Sequence, residues 1–528
     1  SIQGIPFEQV QTGTVNLSPV PASFVSGLEL QTAGSVSQQN PLAGNLDIRM
    51  LETPPAMQAG IGAGAFGEQQ SWFSGQRKIR NHRLAAAIFT QAATDDFQYQ
   101  QNGNWQTRQA SGFRQFTQSV SWQWNRPNWE FQTFGFAWQN RQFIPPPVLQ
   151  GNAQSLPEKL NQQDLFAFQK ATWRPSPFQT WKFSVRHQSG FWEHQPSFLR
   201  SVFARNQWVA NTEWSVSMGK HKIEPSLSAG ISFLHGNRLE IQKQAVSTVK
   251  REEWNAGFRW RWVHKTEIEA NFRLNSVSSF APQWNAHLLI SRTLFSFRTW
   301  QLKSWIQTGR SVRIPSLNEL YFLDYGNPDL KPEVVLHVEF AIRIQNKRWK
   351  GSYWKTAVFR NQTQQKIVSI PVSPVRWTTL GLGRSESFGW EIAGAIPIQK
   401  FLVEAQYTRQ SAFDFSLTNG NWLPYTPSDL ASARIQYADR QWGVSLQYEY
   451  CGGRFSSLQN DFFTYLPDYQ LISIAATYAW KLPARWILSV EPACRNLLAE
   501  QYKVIQGYPM PSRIWSVSMI LRKKNQEE

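Results

Sequence analysis

The sequence predicts an all-β, antiparallel transmembrane barrel behind a small N-terminal α/β segment. Three observations carry this: strands of period two, connections alternating between short and long, and tryptophan pairs beside the short connections. Within residues 266–275, Ile268, Ala270, Phe272 and Leu274 alternate with Glu267, Glu269, Asn271, Arg273 and Asn275. Within 336–345, Leu336, Val338, Phe340, Ile342 and Ile344 alternate with His337, Glu339, Ala341, Arg343 and Gln345. The runs 442–450, 472–480 and 515–521 repeat the pattern. Such runs span about nine or ten residues, enough to cross a bilayer at a tilt and longer than the usual soluble strand.

The first 58 residues are rich in Gly, Ser, Gln and Pro, with short apolar pieces, and read as an α/β segment with loops. Composition breaks near Glu52-Thr53-Pro54-Pro55. The reading is therefore an N-terminal unit over 1–58, a barrel over 59–522 and a polar tail over 523–528. Short turns are expected at Arg126-Pro127-Asn128, 174–180, 438–441 and 481–485. Long polar connections are expected over 145–163, 417–428 and 451–468. Trp124 and Trp129, Trp173 and Trp181, and Trp480 and Trp486 flank short turns. An indole has an apolar body and one N–H donor, so it settles where hydrocarbon meets water. The pairs therefore mark the aromatic girdle of an outer-membrane barrel at its short-turn rim. Apolar positions such as Phe272 and Phe340 should face lipid, and Asn271 and Ala341 a wet lumen that would tolerate Arg.

Composition excludes other classes. No apolar run approaches the 18 residues of a membrane helix, and mean hydropathy is −0.44. Two cysteines in 528 residues exclude a disulfide scaffold. Cys451 and Cys494 both fall near long-loop ends with one strand between them, too far apart to bridge without bending, and read as free. The charge of +18 comes from scattered Lys and Arg without a nucleic-acid-binding motif, so no nucleic-acid partner is expected. No signal peptide is read at Ser1.

Gly62, Gly64 and Gly67 fit a dinucleotide-binding glycine pattern but lack its strand–helix context, and read as a glycine-rich first barrel strand. His187, His194, His221 and His264 show no metal-ligand spacing and read as solvated or lumen-facing. No catalytic constellation stands out; neither an enzyme, a cofactor nor a metal site is expected.

Three stretches then resemble the TonB-dependent outer-membrane receptors. Arg313-Ile314-Pro315-Ser316-Leu317-Asn318-Glu319-Leu320-Tyr321 is similar to the family's Arg-Ala-Pro-Ser-Leu-x-Glu-Leu-Tyr. Gly326-Asn327-Pro328-Asp329-Leu330-Lys331-Pro332-Glu333 matches its most recognisable barrel motif. Asn496-Leu497-Leu498, Tyr502 and Gly507-Tyr508-Pro509-Met510-Pro511-Ser512-Arg513 resemble its last extracellular loop and closing strand. The N-terminal unit resembles the rear half of the family's plug. Gln3-Gly4-Ile5-Pro6 is similar to an Asp-Gly-(Val/Ile)-Pro turn, the segment 27–34 ending in Gly34 to a second plug motif, and Gly44-Asn45-Leu46-Asp47-Ile48 to a third.

The resemblance implies a 22-stranded barrel around a plug in a Gram-negative outer membrane. It also implies import of a bulky, scarce nutrient such as a ferric siderophore or cobalamin, powered by a TonB-type energy-coupling protein. The front half of the plug and its TonB box are not read in the chain. Outer-membrane lipid and lipopolysaccharide are the expected surroundings. A passive porin-like or structural barrel is the alternative function, an outer-membrane enzyme the third. Among the barrel motifs, Pro328, Leu330 and Pro332 are expected to set the loop, while Arg313, Glu319, Asn327, Asp329, Lys331 and Glu333 order it over the ligand mouth.

Overall fold

A computed structural model of the chain describes residues 1–528 apart from 3–4, 22–23, 32–44, 51–56, 102, 109–110, 149–156, 197–199, 324, 374–375, 417–419 and 524–528. Twenty-two antiparallel strands close into a barrel. Closure joins the first strand, Met57–Gly64, to the last, Ile514–Lys523, in a register running from Met57 opposite Lys523 to Gly64 opposite Ser516.

The barrel strands differ from the expected length. They run from the 8 residues of Met57–Gly64 to the 23 of Arg376–Ile398. The apolar alternation that marks a strand in the sequence stops at the membrane edge, whereas backbone pairing continues into hairpins beyond it. For the same reason the connection expected over 145–163 is shorter, because the polar residues from Glu158 already belong to the strand Glu158–Ser176. The turn expected over 174–180 tightens to Pro177-Phe178, between strands ending at Ser176 and starting at Gln179. The short turns at 126–128 and 482–485 lie where expected.

Phe272 and Phe340 are 48% and 44% exposed on the outer face. The opposite parity points inward, and there the wet-lumen expectation fails. Asn271 is 8% exposed, bonded to Arg259 and Glu269, and Ala341 is fully buried. Side chains rather than water fill the interior at those positions.

The tryptophans form a stacked belt at the short-turn rim. Trp129 and Trp173 lie opposite each other with ring centres 5.6 Å apart, and Trp181 and Trp214 5.2 Å apart. Offset aromatic contacts of this kind add to the interfacial preference of each indole.

The glycine-rich first strand has a steric cause. A Cβ on Gly60 would stand 2.1 Å from the indole of Trp72, which is 7% exposed and lies across the strand. Gly60 is a seat for a neighbouring barrel tryptophan, and that tryptophan belongs to the buried apolar cluster that also holds Phe24 and Met50 of the N-terminal segment. Gly60→Ala should therefore destabilise the folded barrel by about 1–3 kcal/mol, the usual cost of overpacking. Urea titration of the heat-modifiable form checks this.

The described residues before Met57 pack inside the barrel. Val25–Gln31 and Asn45–Met50 pair antiparallel. The chain's start extends this small sheet: Ile2 bridges Ile48 in parallel, and the Ser1 ammonium donates to the Leu46 carbonyl at 2.7 Å.

Candidate functional site

The candidate site is the contact between the N-terminal segment, the lumenal wall and the long loop after strand Trp300–Arg313. Strands Trp129–Ile144 and Glu158–Ser176 turn an aromatic face inward: Phe134, Phe136, Trp138, Phe166 and Phe168 are all buried. A barrel lumen is ordinarily polar. Here the apolar wall receives Ile2, Ile5, Phe7, Phe24, Ile48 and Met50 from the segment. Phe7 packs edge-on to Phe136 and Phe166, with centroids 5.5 and 5.0 Å away.

Beyond Phe7 the contacts turn polar. Arg186 donates to the Pro6 carbonyl. Arg205 pairs with Asp164, both 7% exposed, and donates to Gln9 Oε1 at 3.1 Å, while Gln9 Nε2 donates to Asp164 at 3.4 Å. Burial of these charges is sustained by the pairing, since an unpaired one would cost several kcal/mol.

The loop motif meets the next stretch of the segment. The backbone N–H groups of Leu317 and Asn318 donate to the carbonyls of Val10 and Gln11 at 3.1 and 2.8 Å. Gly13 has φ +66, and a Cβ there would lie 3.1 Å from Ser316 Cβ. Arg251 donates to the Pro315 carbonyl at 2.8 Å. Val10 also packs against the buried cluster of Phe203, Leu234, Leu239, Val249 and Leu317.

The loop is shaped by its own sequence. Ser316 caps the short helix Leu317–Tyr321: its Oγ accepts from the Glu319 N–H at 3.3 Å, and the Glu319 carboxylate accepts from the Ser316 N–H at 2.7 Å. This capping box satisfies two donors reciprocally. Arg313 joins Glu319 at 3.1 Å to Glu333 at 3.3 Å, so one guanidinium ties both ends of the loop to its helix. Glu333, 4% exposed at its side chain, also accepts from the Ile367 N–H.

The second motif forms the return. The Asn327 N–H donates to the Glu319 carbonyl, and its side-chain oxygen accepts from the Asp329 N–H, an Asx turn. Leu330 packs with Leu320 and Ile367. Pro328, Lys331 and Pro332 lie between these anchors. Tyr321 flanks the same cluster.

The last long loop closes differently. Asn496, at φ +50, donates to the Glu500 carbonyl at 2.9 Å and accepts from its N–H at 2.8 Å. Arg513 donates to the Leu497 carbonyl at 2.9 Å. Gly507, at φ +81, accepts at its carbonyl from the Val148 N–H, and a Cβ there would press on Pro147 at 3.1 Å. Pro509 belongs to the small ladder with Lys503. This loop thus ties to the connection before Glu158.

Of the expected segment residues, Pro6 contacts the wall and Asn45 opens the strand Asn45–Met50. Gly4, Gly34 and Gly44 lie outside the described residues. Arg186, Arg205, Asp164 and Arg251, with Gln9 on the segment, were not singled out in the sequence. Each is one polar residue among many of lumenal parity, so nothing in the pattern marks it. Cys451 and Cys494 are free. His187 departs from the lumenal or solvated expectation: it stacks on Trp208, ring centres 4.1 Å apart, on the outward parity of its strand.

At the mouth, Asp95 adopts φ +54, and its N–H donates to the Phe66 carbonyl at 3.0 Å. Burial, then the nearby Asp96 and Glu68, pushes its carboxyl up to about 6, with Arg108 acting in the opposite sense. Stability from such a group is fully present below the ordinary aspartate pKa and is lost as pH rises through about 6. Corrected amide exchange in this loop should accordingly be slower at about pH 4.5 than at about pH 7.5, and Asp95→Asn should remove that difference.

Residues 60–497 match the family model described as "TonB dependent receptor-like, beta-barrel". The chain is 24% identical over 219 residues to the vitamin B12 transporter BtuB of Photobacterium profundum, covering 41% of this chain and 34% of that protein. It is 25% identical over 326 residues to the iron-regulated outer membrane virulence protein of Vibrio cholerae, covering 52% and 46%. The chain thus spans less than half the length of these curated relatives in the matched region. Among solved structures, the copper transporter OprC superposes with a TM-score of 0.77 at 10% identity, covering 98% of this chain and 89% of that one. The siderophore receptor PirA of Acinetobacter baumannii gives 0.75 at 12% identity, covering 98% and 88%. The chain belongs to the TonB-dependent receptor-like β-barrel family, whose place is the outer membrane of Gram-negative bacteria.

Proposed function

We propose that the protein is a receptor that imports a bulky, scarce nutrient across the outer membrane. The observation that carries this is a 22-stranded barrel whose interior holds the chain's own N-terminal segment through separable polar contacts. Barrels of this size have a plugged lumen, so passage requires the plug to move. In this reading residues 1–56 act as plug and Met57–Lys523 as barrel. The Arg313–Glu319–Glu333 cluster, with Pro315, Asn327, Asp329 and Lys331, orders the loop that the plug abuts. The last-loop residues Asn496, Gly507, Pro509 and Arg513 order the mouth.

A tightly held ligand needs external work for release, and a TonB-type energy-coupling protein pulling on the plug supplies it. Ferric siderophores and cobalamin are the ligand classes proposed, by likeness to the relatives named above. Lipid and anionic lipopolysaccharide surround the barrel, the latter suited to the net charge of +18. The protein acts as a transporter and not as an enzyme.

Expressed with its TonB partner in cells lacking their own receptors, it should bind one member of a labelled panel of ferric siderophores, cobalamin and copper. Uptake of that ligand should stop with a protonophore. Failure to bind any member, or uptake indifferent to the protonophore, would contradict the proposal.

A further inference from the structure

The ten short turns and the eleven long connections of the barrel differ in charge as well as in length. The turns hold eleven Lys or Arg and one acidic residue, Asp439, whereas the long connections hold seven Lys or Arg and nine Asp or Glu. Nine of the ten turns carry a cation, from Arg80 after the strand Gln69–Ile79 to Arg485 before the strand Trp486–Arg495. Lys347, Arg348 and Lys350 share one turn. All eleven basic residues are exposed. Among the described residues only Lys400 has a carboxylate partner, Asp439 at 2.7 Å. Turns that need only to stay in water have no use for a single sign, and the long connections of the same chain are mixed. Short turns of outer-membrane barrels face the periplasm. More than half of the net charge of +18 therefore lies at the periplasmic rim, opposite the lipopolysaccharide leaflet.

The tryptophans give the height of these cations. Trp129, Trp300 and Trp442 each begin a strand directly after a turn, and Trp349 lies within one. The four indoles are between 36% and 54% exposed. Indoles settle where hydrocarbon meets water, so cations within three residues of them stand among the lipid headgroups. Arg126 lies over the ring of Trp124, 5.3 Å from its centre.

Two hairpins add the same further device. Trp122 Nε1 donates to His82 Nδ1, and Trp260 Nε1 to His221 Nδ1, both at 3.2 Å. An indole only donates, so each imidazole accepts at Nδ1 and in its neutral form carries its hydrogen on Nε2. His82 follows Arg80 and precedes Arg83, and His221 stands between Lys220 and Lys222. Each hairpin thus sets an oriented imidazole donor among cations.

We propose that the short-turn rim binds the phosphate groups of anionic phospholipids in the periplasmic leaflet. Clusters of Lys and Arg immediately outside a membrane span draw such headgroups, and the guanidinium fork matches phosphate. The occupant follows from the distribution of charge. The cations encircle the barrel, and lipid is the neighbour that touches every strand, whereas a docked protein would call for them in one sector. The proposal rests on the outer-membrane placement and not on import, so its test reads lipid and not uptake.

The test uses the purified full chain in phosphatidylcholine vesicles at about 0.1 M salt. Spin-labelled phosphatidylglycerol and phosphatidylcholine report which lipid is immobilised at the protein. Phosphatidylglycerol should be preferred by about threefold or more, and about 1 M salt should bring the ratio close to one, since salt screens exposed charges. Joint replacement Arg80→Gln, Lys220→Gln, Arg298→Gln, Arg348→Gln and Arg440→Gln should also bring it close to one, with heat-modifiable mobility kept. The joint replacement Arg200→Gln, Lys243→Gln and Lys503→Gln in the long connections should leave the preference in place. Equal immobilisation of the two lipids by the unaltered chain would overturn the proposal. So would a preference that survives neutralisation of the rim, or one lost from the long-connection variant instead.

Discussion

Arg313→Ala is expected to open the loop that abuts the N-terminal segment, at a cost of about 3–5 kcal/mol to the local structure. The figure is that for breaking a buried ion pair by removing one partner. Glu333, 4% exposed at its side chain, would keep, among the described residues, only Lys366 at 4.0 Å and the Ile367 N–H. Glu319 would keep, among the described residues, only the hydrogen bond from the Ser316 N–H. The barrel itself has few reasons to unfold, because its strand ladder does not pass through this guanidinium. The change should therefore appear as proteolysis between residues 314 and 332 and as loss of amide protection at Leu317 and Asn318, with heat-modifiable mobility intact. Arg313→Lys keeps the charge but not the planar fork, and should fall between the two. Unchanged protection at Leu317 in the alanine variant would show that the cluster does not hold the loop.

Phe340→Arg is expected to destabilise the barrel by about 2–4 kcal/mol, the cost of a cation on the lipid face near the midplane. Gln447, on the lumenal parity of strand Trp442–Cys451 and beside Glu449, is the contrasting position, where Arg should change stability by less than about 0.5 kcal/mol. Ala341, adjacent to Phe340 and fully buried, is no such control: Arg there would overpack the wall. Urea titrations of the three variants in lipid should rank Gln447→Arg far above the other two.

The barrel was legible in the sequence because alternation, connection length and tryptophan placement are each local. The lipid face of strands 266–277 and 333–346 followed from parity together with the rule that the apolar side of a membrane strand faces lipid. Parity by itself does not say which face is inside, and Trp129–Ile144 shows why. Its regular Phe134, Phe136 and Trp138 face the lumen, where the N-terminal segment needs an apolar wall. The loop motifs were recognisable as motifs, and their turn residues act as turn chemistry dictates. Their contact with Val10 and Gln11 was hidden, because it runs through backbone groups about 300 residues apart in sequence. Strand ends were also hidden, since hydrogen bonding outlasts the membrane-facing pattern that reveals it.

The central claim is that import requires the N-terminal segment to leave its seat on the loop. In a chain lacking its two native cysteines, Gly13→Cys and Ser316→Cys would face each other with a Cβ placed at Gly13 3.1 Å from that of Ser316, a few tenths of an ångström short of the roughly 3.5–4.5 Å a disulfide spans, so a small outward shift of the segment lets the bridge form. The positive φ at Gly13 adds a strain of about 1–2 kcal/mol, small against the gain of a bridge. Uptake of the bound nutrient by cells carrying this variant, measured before and after reduction, is the decisive observation. Binding retained but uptake abolished in the oxidised form, and uptake restored by reductant, is the predicted result. Undiminished uptake with the disulfide fully formed would contradict the account.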